Sequence, residues 1–455
     1  MQLLVRERSF YKKLVSIAVP IALQQLITVG VNMMDTIMLG RLDEVALSAS
    51  ALANQFITLF QIVCMGMGMG ASVLTARYYA MKDENGLKKS VTIMLRFCAV
   101  LTLLFTALVI ITPGGIMRIY TNDQTLVQAG TIYFRWSIPT FILMGFSLTL
   151  TVVLRSVGKA KLPMFTSLIA FFINVFFNYT FIFGKFGAPR MGIAGAALGT
   201  VIARVFEFAA ILGYFFFRDR AIGYRLRDVT MKCGDLVKTY FSISLPVLIS
   251  DTLLSLGNSA VAVITGHIGA SFVAANSITT VTQQLLTVFV QGTSNASAIL
   301  IGHTLGEGKT EEAQTQGYTL FGIGLAIGVA AGLVILCVKN LVISAYKVGP
   351  ETVDIARSLM NAIAFIIIFQ SGNSILTKGV LRGGGDTKFL MVGDILFLWV
   401  ASIPLGALAG LVLHLNPFLI YVCLKIDQIL KCVWCVWRLK SRKWIKKIQS
   451  TKAAE

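Results

Sequence analysis

Charge is what this 455-residue chain has least of. Asp, Glu, Lys and Arg together make up 13% of it, where a water-soluble domain carries about a quarter. Apolar residues reach 56% and mean hydropathy is +0.77. So little charge excludes a soluble globular protein and points to a polytopic membrane protein. Histidine is nearly absent as well. The three present, His267, His303 and His414, are scattered. There is no HExxH and no GxSxG, and with no nucleophile–base set or metal cluster an enzyme is not expected. The seven cysteines fall mostly inside apolar runs. "CVWC" at 432–435 has CxxC spacing but no second pair, so it reads as packing and not as a metal site.

Long apolar runs are abundant. Twelve are long enough to cross a hydrocarbon core, at 14–39, 45–75, 90–113, 130–153, 163–184, 191–217, 239–265, 271–302, 317–338, 353–380, 389–413 and 416–437. They are continuous and not alternating, which selects helices over a β-barrel. The first is too long for a signal peptide, lacks a small-residue cleavage site and carries polar groups, so it is kept as a helix. The expected fold is an all-α integral membrane protein of twelve transmembrane helices.

Acidic residues are the scarcer sign, 21 against 40 basic, for a net charge of +19. Such an excess can indicate nucleic acid, but its distribution does not. With the N-terminus in the cytoplasm, the inward segments hold 27 Lys and Arg and the outward loops hold 6: Arg41, Arg118, Lys185, Arg190, Lys339 and Lys347. That is the positive-inside rule, with both ends cytoplasmic and no nucleic-acid partner. The tail "RLKSRKWIKKIQSTK", basic and containing Trp444, is expected to rest on anionic lipid.

The chain repeats itself. "LRSVGKAKLPM" (154–164) aligns with "LRGGGDTKFLM" (381–391) at an offset of 227. "SIAVPIALQQLITVGVNMMDTIMLG" (16–40) aligns with "SISLPVLISDTLLSLGNSAVAVITG" (242–266) at an offset of 226. The domains follow: a six-helix lobe at 1–217, a cytoplasmic linker at 218–238, a second six-helix lobe at 239–437 and a basic cytoplasmic tail at 438–455. Six spans per half keep one orientation, so the repeats are parallel about an axis along the membrane normal. Two such halves with a central cavity suit a carrier.

Polar side chains inside the runs fall at helical spacing. Gln25, Thr28, Asn32 and Asp35 share one face of the first run. Asp251, Ser255, Asn258 and Thr265 do so in the seventh, and Asn276, Thr280, Gln283, Thr287 and Gln291 in the eighth. In the fifth, Asn174 and Asn178 lie four apart. Interhelical hydrogen bonding explains Ser and Thr adequately. It does not need a titratable group, so Asp35 and Asp251 are the chief ionisable candidates. Either could exchange a proton for Na+ or for a cationic ligand, and Asn174 and Asn178 could add carbonyl oxygens for a hard cation. Arg204 with Glu207, Asp427 with Lys431, and Asp394 read as architectural. "CMGMGMGAS" (64–72), near Met33 and Met34, reads as close packing, with a promiscuous pocket lining the alternative.

These stretches resemble the multidrug and toxic compound extrusion (MATE) transporters over essentially the whole length. The resemblance lies in "VNMMDTIMLGRL", "LRSVGKAKLPM", "NVFFNYTFIFGKFGAPRMGIAGAALGT" and "LRGGGDTK", with "DQILKCVWCVWRLKSRKW" similar to Firmicute members. It implies a monomeric antiporter in the inner or plasma membrane that exports organic, often cationic or aromatic, compounds against Na+ or H+, with no cofactor beyond that ion. It implies that Asp35 is the coupling residue, with Asn174, Asn178 and Thr200 around it and Na+ held by Asp35, Asn174 and Asn178 if sodium is used. Sodium-binding members carry Asp where this chain has Asn178, which removes one charge here. Asp251 resembles an acidic residue that other members place in the seventh helix, and with Gln283, Asn258, Asn32 and Gln25 it is expected to contact substrate. Where some members have an aspartate in the tenth helix, "FQSGNSILTKGVLRG" offers Ser371 and Asn373, so no second cation site is expected there. The alternative is a flippase or exporter of lipid-linked saccharides, disfavoured because the interior stripes read as acidic and neutral.

Overall fold

The computed structural model describes residues 4–346 and 348–448. Lys347 of the outward loops and the end of the basic tail from residue 449 lie outside the described residues. Every regular element among the described residues is helical. In chain order the elements are α1 (Arg8–Gly40), α2 (Glu44–Ala80), α3 (Glu84–Ile111), a short α4 (Pro113–Tyr120), α5 (Gln124–Ser156), α6 (Lys161–Phe183) and α7 (Ile193–Gly213). After the linker come α8 (Gly234–Ile268), α9 (Ala270–Gly306), α10 (Thr310–Ser344), α11 (Pro350–Ser374) and α12 (Thr387–Ile395). The last are α13 (Ile403–Ala407), α14 (Pro417–Leu424) and α15 (Ile426–Lys440). π-helical turns prolong α7 to Arg218 and α11 to Leu381, and join α12 to α13 and on to Val412.

Eleven of these continuous helices are long and apolar enough to span a membrane. The twelfth expected span is present in two pieces, α14 and α15, broken at Lys425. The cause is a side chain inserted into the helical ladder. Ser402 Oγ donates to the Leu424 carbonyl at 2.5 Å, so that carbonyl bonds to a neighbouring helix and not to its own next turn. Pro20 within α1 and Pro246 within α8 occupy the same position in the two repeats. Prolines of this kind are tolerated in lipid, where neighbours can re-satisfy the freed carbonyl.

Contacts divide the described chain into two units. One holds residues 23–75 and 83–241, the other residues 4–22, 76–82 and 242–448. The long helices α1 and α2 therefore each supply a segment to both.

In the first unit the core gathers Phe56, Phe60, Phe105, Phe134 and Phe141, edge-on or tilted at centroid distances of 5.1–6.2 Å. Asp123 caps α5 by accepting from Thr125 N at 2.8 Å, and the Thr125 hydroxyl and amide hold its carboxyl below the usual range. The linker does not hang free. Tyr224 is buried beside Phe215 and meets the Thr92 hydroxyl at 2.8 Å. Arg96 donates to the carbonyls of Val229 and Met231 at 2.7 and 2.8 Å, and Lys88 pairs with Asp228 at 3.5 Å.

In the second unit, Gly324, Gly328 and Gly332 form a stripe on α10 at four-residue spacing. A Cβ at Gly328 would lie 2.7 Å from Ile368 Cα, and one at Gly332 would lie 2.5 Å from the Ala364 carbonyl oxygen. Only hydrogen fits there, so the α10 and α11 backbones touch. Trp444, expected at a lipid surface, is instead wholly buried. Its indole donates to Gln314 Oε1 at 2.9 Å, it covers Gly384, and Lys446 N donates to the Gly384 carbonyl at 3.0 Å. The start of the tail is a strap packed on protein, because a snug protein partner satisfies both the ring and its N–H.

Candidate functional site

Near the end of α1, Asp35 Oδ1 accepts from Asn178 Nδ2 of α6 at 2.6 Å. The same amide group points at Asn174 Oδ1, 3.3 Å away and one turn earlier. Asn174 Nδ2 in turn donates to the Thr200 hydroxyl of α7 at 3.2 Å. Asp35, Asn174, Asn178 and Thr200 thus come together within the first unit. Both asparagines are buried, at 2% and 0% exposed, while Asp35 keeps some accessible surface. Gly199 makes the close approach possible: a Cβ there would lie 2.1 Å from Asn178 Oδ1. That oxygen is buried without a hydrogen-bond partner. Among the described residues no Lys or Arg lies within ion-pair distance of Asp35, and no group of three or more His, Cys, Asp or Glu side chains could hold a metal ion. What the cluster offers is one carboxylate and several neutral oxygens, a set suited to a proton or a hard monovalent cation.

One turn beyond Thr200, Arg204 donates to Glu207 at 2.6 Å, the expected intrahelical pair. Glu207 also accepts from Ser167 at 3.0 Å. Ser167 accepts from Gln24 at 2.9 Å, and Arg155 donates to Gln24. Gln24 and Arg155 stand outside the polar stripe expected from the sequence. Gln24 is as well spaced from Thr28 as Gln25 is, one residue off the chosen stripe. Gln25 and Asn32, the expected substrate contacts on this helix, are half-buried and exposed, with no side-chain hydrogen bond among the described residues.

The second unit departs further from expectation. Asp251 is expected, with Asp35, as a chief ionisable group in an acidic and neutral stripe. It pairs with Arg382 at 3.5 Å, because α11 and its π-helical extension run on through the end of the expected span and carry Arg382 back to α8. Lys431 sits between Asp394 at 3.0 Å and Asp427 at 3.1 Å, and Ser250 donates to Asp394. Lys378 also lies within the apolar run 353–380. It stands about one helical turn before Arg382 and is half-buried. The rule that singled out Asp35, an ionisable group inside a span, would have found it. Gln283 donates to Gln370 at 2.7 Å, and Asn258 is exposed. The thiols of Cys432 and Cys435 are free and buried, as packing residues are. Cys64, Met67 and Gly68 of the Met–Gly stretch line a small cleft in the first unit with Phe97, Cys98 and Tyr240.

The MatE family profile matches the chain twice, at residues 20–180 and 246–408. The two matches begin 226 residues apart, the offset of the internal repeat, and together cover well over half of the chain. The chain belongs to the MatE family. It is a multi-pass membrane protein of a transporter family. This MatE chain is 26% identical to the probable multidrug resistance protein NorM of Thermotoga maritima over 97% of its own length and 94% of the relative's. It is 23% identical to the multidrug resistance protein MdtK of Yersinia pseudotuberculosis, covering 89% of each. A solved MATE structure, in complex with MaD3S, superposes with a TM-score of 0.86 over 95% of this chain and 96% of that one, at 18% identity. The MatE fold is therefore shared along nearly the whole chain, with two six-helix repeats.

Proposed function

We propose that this MatE protein is a cation-coupled antiporter that exports organic, cationic or aromatic compounds by alternating access, driven by inward Na+ or H+. One observation carries the reading. Asp251, Asp394, Asp427 and Glu207 each have a basic partner within ion-pair distance, and Asp35 has none among the described residues. A lone carboxylate inside a span needs an exchangeable counter-charge, which a proton or a sodium ion supplies. The amide of Asn178 donates to the carboxylate while it is charged. An amide flip would turn its partnerless oxygen toward a cation held at Asp35. In this reading Asn174, Asn178 and Thr200 serve the ion, while Asp251, Gln283, Asn258, Asn32 and Gln25 serve the substrate. The protein works as a monomer in the inner or plasma membrane with both termini in the cytoplasm. The multidrug resistance names of the relatives support the substrate class. The multidrug resistance names of the relatives also weigh against a lipid-linked saccharide as cargo.

The test is dye export from cells and cation-jump transport in proteoliposomes. Asp35→Asn, present at wild-type level, should abolish export of every substrate and lose the response to both Na+ and pH jumps. Export at the wild-type rate would refute the coupling role.

A further inference from the structure

The stretch "CMGMGMGAS" on α2 has no part in the ion and substrate assignments above. Cys64 and Met67 lie three apart on one face of α2, and Met94 and Cys98 lie four apart on one face of α3. All four line a single cleft within the first unit. Seven Cys and sixteen Met in 455 residues make sulfur a feature of about one residue in twenty, yet four of the nine residues lining the cleft carry it. Each of the four is buried, at 2–5% exposed, and both thiols are free. A Cβ at Gly145 of α5 would lie 3.4 Å from Cys98 Sγ and 3.1 Å from the ring of Phe60, which stands one turn before Cys64. The Cys98 thiol therefore points into the joint of α2, α3 and α5 and not into lipid. Among the described residues no charged side chain lines the cleft, and the Thr149 hydroxyl beside it is committed to the Gly145 carbonyl at 2.9 Å. The free space is about 10 Å³, room for a water or a single ion and not for an organic molecule. Packing alone accounts for methionine, which fills irregular gaps. It does not account for two thiols and two thioethers around one residual space.

We propose that Cys64, Met67, Met94 and Cys98 form a binding site for a soft monovalent cation, Cu(I), held by sulfur alone. Thiolate and thioether ligands select Cu(I) over hard cations such as Na+. Each of the two facing helices supplies one thiol and one thioether. Charge sets how they bind. With no charged neighbour in the cleft, two thiolates on one Cu(I) would leave a buried net negative charge, which is costly. One thiol therefore loses its proton to water as its sulfur bonds to copper, and the other thiol and both thioethers bind as neutral donors. One positive charge enters and one leaves. Copper arrives and stays as Cu(I), so no oxidant or reductant is consumed. The bound ion would bridge α2 to α3 inside the first unit. Its sulfur donors differ in kind from the oxygen cluster at Asp35, and neither reading depends on the other.

The experiment titrates the full purified chain, in detergent and without oxygen, with Cu(I) against bathocuproine disulfonate, whose absorbance reports the copper it keeps. Wild-type protein should withdraw a copper equivalent that Cys64→Ala and Cys98→Ala each lose, a weakening of about a hundredfold or more. Excess Na+ should leave that equivalent in place. Cys432 and Cys435 could hold copper of their own, so the double variant Cys432→Ala/Cys435→Ala is the control and should keep the equivalent that depends on Cys64. The double variant Met67→Leu/Met94→Leu conserves volume, which guards against a folding artefact. It should match the metal-free Tm of wild type and bind copper about tenfold more weakly. Copper should also raise the Tm of wild type and not that of Cys64→Ala. If the Cys64, Cys98 and methionine variants all take up copper as wild type does, the sulfurs only pack and the proposal is overturned. It is equally overturned if wild-type protein withdraws no copper, or if the equivalent is lost in the Cys432→Ala/Cys435→Ala control. The role of Asp35 stands in each case.

Discussion

Gly199→Ala is a one-carbon change with a calculable consequence. The new Cβ would lie 2.1 Å from Asn178 Oδ1 and 2.8 Å from Asn178 N, closer than a Cβ atom approaches any neighbour. Asn178 is fully buried and fixed by its own helix, so its amide must be displaced from Asp35. Overpacking of this kind costs about 1–3 kcal/mol in stability. Loss of a hydrogen bond to a charged group costs about 1.5–3 kcal/mol. Any step that uses the Asp35 charge should therefore slow by roughly ten- to a hundredfold, at about 1.4 kcal/mol per factor of ten. A neutral interhelical hydrogen bond in a membrane is worth nearer 0.6 kcal/mol, or about threefold. The size of the effect thus separates a charged coupling contact from structural glue. The assay is Na+- and pH-driven efflux in proteoliposomes, normalised to reconstituted protein. Gly213→Ala is the control, since a Cβ there meets nothing within 4 Å and should leave efflux unchanged. Efflux by Gly199→Ala within threefold of wild type would refute the claim that the Asn178 contact tunes a working carboxylate.

Three further outcomes are expected. Asp251→Asn should alter the range of exported compounds while cation coupling persists, measured as resistance profiles beside Asp35→Asn; identical profiles for the two would contradict a division of labour. Trp444→Ala removes a buried indole and its bond to Gln314, so stability should fall by about 3–5 kcal/mol, seen as a lower Tm in a thermal-shift assay; an unchanged Tm would mean the strap is not docked in solution. Arg96→Ala removes two carbonyl contacts that hold residues 229–231, so limited proteolysis in the linker 218–238 should speed up while the helices stay intact. Unchanged cleavage would show the linker is held elsewhere.

Much of the site was readable because it depends on one helix at a time. Asn174 and Asn178 must share a face at a spacing of four, and a lone aspartate in an apolar run is conspicuous whatever surrounds it. Most of the departures came from neighbours. Asp251 looked alone because Arg382 was counted in a loop, and nothing in the α8 sequence reports how far α11 and its π-helical extension continue. Lys378 is legible as an ionisable residue inside an apolar run, whereas the choice of Gln24 over Gln25 rests on the helix rotation that faces Ser167. Trp444 next to basic residues fits a lipid anchor equally well until Gln314 and Gly384 are seen around it.

By itself, then, the amino-acid order determined that the chain is a membrane protein, how many times it crosses and that its halves are duplicates. Those properties follow from length, hydropathy and internal similarity along the chain, and the family match at the same repeat offset agrees. The tertiary structure decided which buried charges have partners, where Ser402 breaks the last span, and that the start of the tail is a protein-packed strap. The energy of a charge inside a membrane is set by what lies within a few ångströms of it, and those neighbours come from helices far away in sequence.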